Sequence, residues 1–101
     1  MAPDWVPPDT PIGRGPYPAI MEMVPGLPHH TLYRPADLAA LGGRQLPLLA
    51  WANGACVNVG NRFRWFLSEI ASHGFLVVAI GPIGPREAEG LASGGALRGQ
   101  P

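Results

Sequence analysis

The stretch Leu46–Gly84 decides the fold. It reads LPLLAWANGAC (46–56), VNVGN (57–61), RFRWFLSEIASHG (62–74) and FLVVAIGPIG (75–84). Leu46 to Trp51 is almost unbroken apolar sequence, the pattern of a strand covered on both faces, with Pro47 at its entry where a missing donor is tolerated. Asn53-Gly54 ends it. Small and polar residues with two glycines then run to Asn61. Phe63, Phe66, Leu67, Ile70 and Ala71 follow i, i+3, i+4, i+7, i+8 spacing, so the next segment is predicted to be a helix with one apolar stripe. Arg62, Arg64, Ser68, Glu69 and Ser72 fall on its other side. Asn61 suits the N-cap, and His73-Gly74 suits the exit. Phe75 to Ile80 is a second apolar strand, closed by Gly81-Pro82.

A strand–helix–strand unit of this kind is predicted to be parallel, and its ligand site is expected in the loop after the first strand. Such a unit needs more sheet around it. Taken alone, the two strands leave apolar faces and an unpaired edge exposed. That predicts either a part of a larger sheet or a small non-catalytic α/β module that associates with itself or with a partner through the exposed sheet edge.

Outward from this core the chain changes character. Residues 1–28 hold most of the 13 prolines and read as an extended segment, with a short edge strand expected within Ala19–Val24. His29 to Arg34 (HHTLYR) has strand propensity. Alternation puts Thr31 and Tyr33 on one face and Leu32 on the other. Pro35 stops it, and a turn or single helical turn is expected at 35–38. Residues 29–84 form the predicted core. Residues 85–101 are rich in Gly, Ala and Ser and read as a flexible tail, with one short helix expected around Pro85 to Leu91.

With 101 residues, one small domain is the limit. Seven basic residues balance seven acidic ones, which argues against a nucleic-acid or anionic-membrane footprint and removes a defence against association. The single Cys56 excludes an internal disulfide framework. MAPDWVPPDTP at the start lacks a basic segment followed by an apolar one, so the expected location is cytoplasmic by default. No apolar run approaches membrane-helix length. His29, His30 and His73 lack zinc-ligand spacing, and no cofactor or metal is predicted.

The blocks GPYPAIME, HTLYRPADL, LPLLAWANGAC and FLSEIASHGFLVVAIG together resemble the N-terminal part of the α/β-hydrolase superfamily. The resemblance is to hydrolases related to dienelactone hydrolases and polyester-degrading esterases, and it runs from about Gly15 to Gly84. It implies an α/β class with a partial α/β-hydrolase fold. HTLYRP would be an early antiparallel strand, LPLLAWAN the third strand and FLVVAIG the fourth. It also implies attack by a serine hydroxyl on a small-molecule carboxylic ester or related carbonyl. In that superfamily the loop after the third strand donates a backbone N–H to the oxyanion hole, which assigns the role here to Gly54, Ala55 and Cys56. The G-x-S-x-G nucleophile elbow is absent from the chain. Ser93, in GLASGG, has the wrong spacing and no strand before it. The expected protein therefore carries the oxyanion loop, is truncated before its elbow, and is inactive alone. Gly54 to Gly60 ahead of a helix could also cradle a phosphate, but it matches neither nucleotide-binding glycine pattern.

Overall fold

A computed structural model describes residues 6–53 and 58–89. The Gly-rich residues after 89 and the four residues 54–57 lie outside that set. Four strands form one mixed sheet: β1 (Ala19–Glu22), β2 (His30–Pro35), β3 (Leu48–Trp51) and β4 (Leu76–Ile80). A nine-residue helix, α1 (Arg64–Ser72), connects β3 to β4, and a short helix, α2 (Arg86–Glu89), follows β4. A single 3-10 turn spans Leu38–Leu41, and the Asp37 side chain caps it by accepting from the Ala39 and Ala40 N–H groups. The chain is thus a mixed α/β structure. None of the described helices is long and apolar enough to cross a membrane.

The strand order is β1-β2-β4-β3. β2 runs antiparallel to both β1 and β4, with Tyr33 opposite Met21 on one side and Val77 on the other. β3 and β4 are parallel, with Leu49 beside Val77. Alternation then puts Ala19, Met21, Thr31, Tyr33, Val77 and Ala79 on one face, where all are buried. α1 lies across β1, β2 and β4 on that face, with Leu67 and Ala71 fully enclosed. Side chains such as Leu67 and Val77 contribute roughly 1.5–3 kcal/mol each when fully buried. Towards β3 the apolar layer is finished by aromatics. Trp51 meets Phe63 edge-on, with ring centroids 5.6 Å apart, and Phe66 at the same distance.

Among the described residues, no helix covers the opposite face of the sheet. Leu48 is 66 % exposed and Ile80 47 %. The composition of β3 and β4 suits cover on both faces, and one of those faces is left exposed, as expected for a strand pair without more sheet and helix around it. The described chain has one substantial helix, and it occupies one side only.

The helix is also rotated from the predicted stripe. Arg64, Ser68 and Ser72, expected on the solvent side, are buried, whereas Phe66 is 52 % exposed. The cause is the N-terminal Pro-rich segment, which packs along that flank of α1. Tyr17 N–H donates to the Ser72 carbonyl (2.8 Å) and Gly15 N–H to Ser72 Oγ (3.0 Å). The approach is so close that a Cβ on Gly15 would sit 2.4 Å from the Ser72 carbonyl oxygen. The same segment closes the β1 edge, since Ile12 and Ala19 exchange backbone hydrogen bonds and Met21 N–H reaches the Pro8 carbonyl.

The N-cap also differs from expectation. α1 begins at Arg64 behind Phe63, with no side-chain cap. The Asn61 side chain is instead drawn inward, where it has buried partners. The exit is as read: His73 ends the helix and Gly74 takes a left-handed φ of +101°.

Candidate functional site

β3 and β4 are parallel, so their C-terminal ends lie at the same end of the sheet. β2 runs against them, which brings His29 and His30 to that end, with His30 opposite Ile80. The described stems of the loop after β3 therefore lie near His30, Ile80 and the turn after β4. Gly54, Ala55 and Cys56, the residues assigned to the oxyanion loop, fall outside the described residues, as does Ser93. The stems of the loop are described, and they are held firmly.

The Asn53 amide spans the mouth of the loop. Its Oδ1 accepts from Trp51 Nε1 (3.0 Å), and its Nδ2 donates to the Val59 carbonyl (2.7 Å). Gly60 N–H donates to the Pro82 carbonyl (2.8 Å). The Tyr33 phenol donates to the Gly60 carbonyl (2.6 Å), and Thr31 Oγ1 to the Gly81 carbonyl (2.8 Å). Gly60 and Gly81 are required by contact. A Cβ on Gly60 would lie 1.9 Å from Thr31 Oγ1, and one on Gly81, whose φ is +101°, 2.6 Å from the Asn58 backbone. Two turns therefore cross backbone to backbone above the strand ends. Gly60 is enclosed by protein, so the downstream end of the glycine loop does not open as a phosphate cradle.

Behind this crossing lies a buried polar network. Asn61 Oδ1 accepts from Gly84 N–H (2.8 Å), while its Nδ2 donates to Gly84 O (3.2 Å) and to Glu89 Oε2 (2.8 Å). Glu89 Oε1 pairs with Arg64 at 3.1 Å. The guanidinium also donates to the Val6 carbonyl and to the Pro7 carbonyl (2.8 Å). Burial raises the Tyr33 phenol well above its ordinary 10.0. The Arg64 charge opposes that shift and the Glu89 charge adds to it. Tyr33 is thus a neutral hydrogen-bond donor to the loop stem.

The three histidines do not converge. His30 stands at the C-terminal end of β4, whereas His73 precedes β4 at the other end of the sheet and pairs with Glu69 at 3.0 Å. Among the described residues no group of three or more His, Cys, Asp or Glu side chains could hold a metal ion. No described serine hydroxyl is hydrogen-bonded to a histidine. Ser72 Oγ is engaged with the Glu69 carbonyl, and Ser68 Oγ is buried on α1. On the uncovered face, His30, Ala50, Trp51, Ala52, Val78 and Ile80 line a shallow, mostly apolar concavity of about 290 Å³ beside the loop. This end of the sheet can position backbone donors next to an apolar surface. Its described residues supply no nucleophile–base pair.

The Asn61–Arg64–Glu89 network escapes periodicity arguments, because a polar side chain at helical spacing reads as solvated. Its signal was indirect. Ser68 and Ser72 follow Arg64 at i+4 and i+8, and Gly13 and Gly15 lie upstream. Small residues on both partners mark a close approach of two segments. No family profile, curated protein or solved structure matches this chain.

Proposed function

We propose that the chain is the oxyanion-side portion of an α/β-hydrolase-type serine hydrolase acting on a carboxylic ester or related carbonyl compound, and that it is catalytically silent by itself. One observation carries this reading. An early strand, β2, runs antiparallel beside a parallel β3–α1–β4 unit, and the loop with Gly54, Ala55 and Cys56 leaves the C-terminal end of β3. That is the arrangement the sequence resemblance implies, and loops at such strand ends are where α/β sheets bind ligands. The crossing at Gly60 and Gly81 and the Asn53 bridge support it further, because preorganised donors require fixed stems. The missing G-x-S-x-G supports the silent half of the proposal.

The test has two arms. Phenylphosphonate, a tetrahedral anion, is titrated into ¹⁵N-labelled protein while the Gly54, Ala55 and Cys56 amides are followed. Saturable shifts at these amides are expected, and unmoved amides would overturn the oxyanion role. In parallel, p-nitrophenyl acetate and butyrate are expected to hydrolyse no faster than in buffer. Turnover by the 101-residue chain would overturn the absence of catalytic machinery.

A further inference from the structure

We infer that this 101-residue chain forms a two-fold dimer by antiparallel pairing of β3 with β3 of a second copy. This does not rest on the hydrolase reading. The two edges of the sheet are treated differently. The β1 edge is closed within the chain by Ile12 and Pro8. β3 is the other terminal strand, and no described strand pairs with its outer side. Leu76 N–H donates to the Pro47 carbonyl (2.9 Å), so Pro47 addresses β4. Backbone groups alternate along a strand, so Leu49 and Trp51 also address β4, while Leu48 and Ala50 direct N–H and C=O to the open edge. Such a row of donors and acceptors fits one kind of partner, another extended strand.

Charge selects the second copy. A two-fold interface sets a surface against itself, so any charge on it meets its own sign. No charged residue occurs from Gln45 to Asn61, and β3 lies within that span. The chain's net charge is zero, so it does not repel its copy at long range. α1 lies mainly over β1, β2 and β4 and meets β3 through Phe66 on the Trp51 ring, a contact on the face of the strand and not with its outer backbone groups. Around an axis at Leu49, Leu48 of each copy pairs with Ala50 of the other, making four N–H···O=C bonds. The exposed Leu48 side chains lie along the join on the uncovered face. The result is a continuous eight-stranded sheet.

Light scattering on a dilution series of the full chain tests this, with a mass approaching twice 10.7 kDa expected at high concentration. Ala50→Pro deletes the outward donor in each copy and is expected to raise the dimer dissociation constant roughly ten- to a hundredfold. Leu48→Lys, which puts like charges along the join, is expected to act in the same direction. Should either variant fail to fold, a mixed sample of ¹³C-labelled and unlabelled wild-type chains decides the matter. Leu49 lies opposite itself in a non-hydrogen-bonded pair, where the two Hα atoms face each other, so an intermolecular Leu49 Hα–Hα contact is expected. A mass of 10.7 kDa at every concentration, or a dimer without that contact, would overturn the proposal.

Discussion

The Arg64 guanidinium and the Glu89 carboxylate stand 3.1 Å apart with side chains 1 % and 4 % exposed, and each also holds a different part of the chain. A pair this buried is a poor source of net stability, because desolvation offsets the attraction. Breaking it is another matter, since the surviving charge stays enclosed. Arg64→Met or Glu89→Ala is therefore expected to cost about 3–5 kcal/mol, comparable to the whole stability of a small domain. Urea denaturation followed by Trp fluorescence measures it. The double variant Arg64→Met/Glu89→Ala should cost less than the two single changes summed, and strict additivity would refute the coupling.

Gly60→Ala should destabilise by at least about 1–3 kcal/mol, the usual range for overpacking. Its Cβ would meet Thr31 Oγ1 at 1.9 Å and the Gly81 carbonyl oxygen at 2.4 Å. The double variant Gly60→Ala/Thr31→Ala is the informative control. It removes the nearest clash, and thermal melts should show part of the loss recovered.

Tyr33→Phe leaves the buried Gly60 carbonyl without its donor and is expected to cost about 1–3 kcal/mol. It should also change the alkaline limb. The folded Tyr33 pKa lies above its unfolded value of 10.0, so its contribution is complete below that value and is lost as pH rises towards the folded one. The wild type should therefore lose stability above pH 10, and Tyr33→Phe should lose less over the same range.

Glu69 governs the opposite limb. The Arg14 backbone N–H, followed by His73, holds its carboxyl below its ordinary 4.5. A depressed folded pKa contributes stability that is present above the unfolded value and is lost as pH falls through the folded one. Acid titration by circular dichroism should show a shallower decline below pH 4.5 for Glu69→Gln than for the wild type. Identical acid limbs would count against the Arg14–Glu69–His73 contact.

Asn53→Ala should loosen the loop that follows β3. Asn53 ties the Trp51 indole to the Val59 carbonyl, so its loss frees the stems while leaving the backbone hydrogen bonds of the sheet in place. Faster amide exchange at Asn58, Val59 and Gly60 is expected, with the β4 amides unchanged.

The strands, the helix and its Gly74 exit were legible because each is written in local periodicity or in a conformational requirement. Thr31 and Tyr33 share the buried face that alternation assigned them. The rotation of α1 was not legible. Phe66 fits the apolar stripe as well as Leu67 does, and only the docking of Gly13 and Gly15 against Ser72 decides that Arg64, Ser68 and Ser72 turn inward. Asn61 has the chemistry of an N-cap and is used as a buried amide, because Gly84 and Glu89 compete for it from far along the chain. For the candidate site, position was legible and partners were not. The loop after β3 could be located from the strand–helix–strand order, whereas the Asn53 bridge and the Gly60–Gly81 crossing depend on contacts between distant residues.

Because Arg64 is joined both to Val6 and Pro7 and to Glu89, the order in which the chain is made has consequences. The N-terminal strap and α1 leave the ribosome before α2. Until Glu89 emerges, the Arg64 charge lacks its carboxylate partner, and Asn61 lacks both Gly84 and Glu89. The strap can therefore set the rotation of α1 early, but the buried polar network beneath the helix is completed only once β4 and α2 have left the tunnel. A nascent chain arrested before residue 89 should remain protease-sensitive, and one that exposes it should become resistant in a single step.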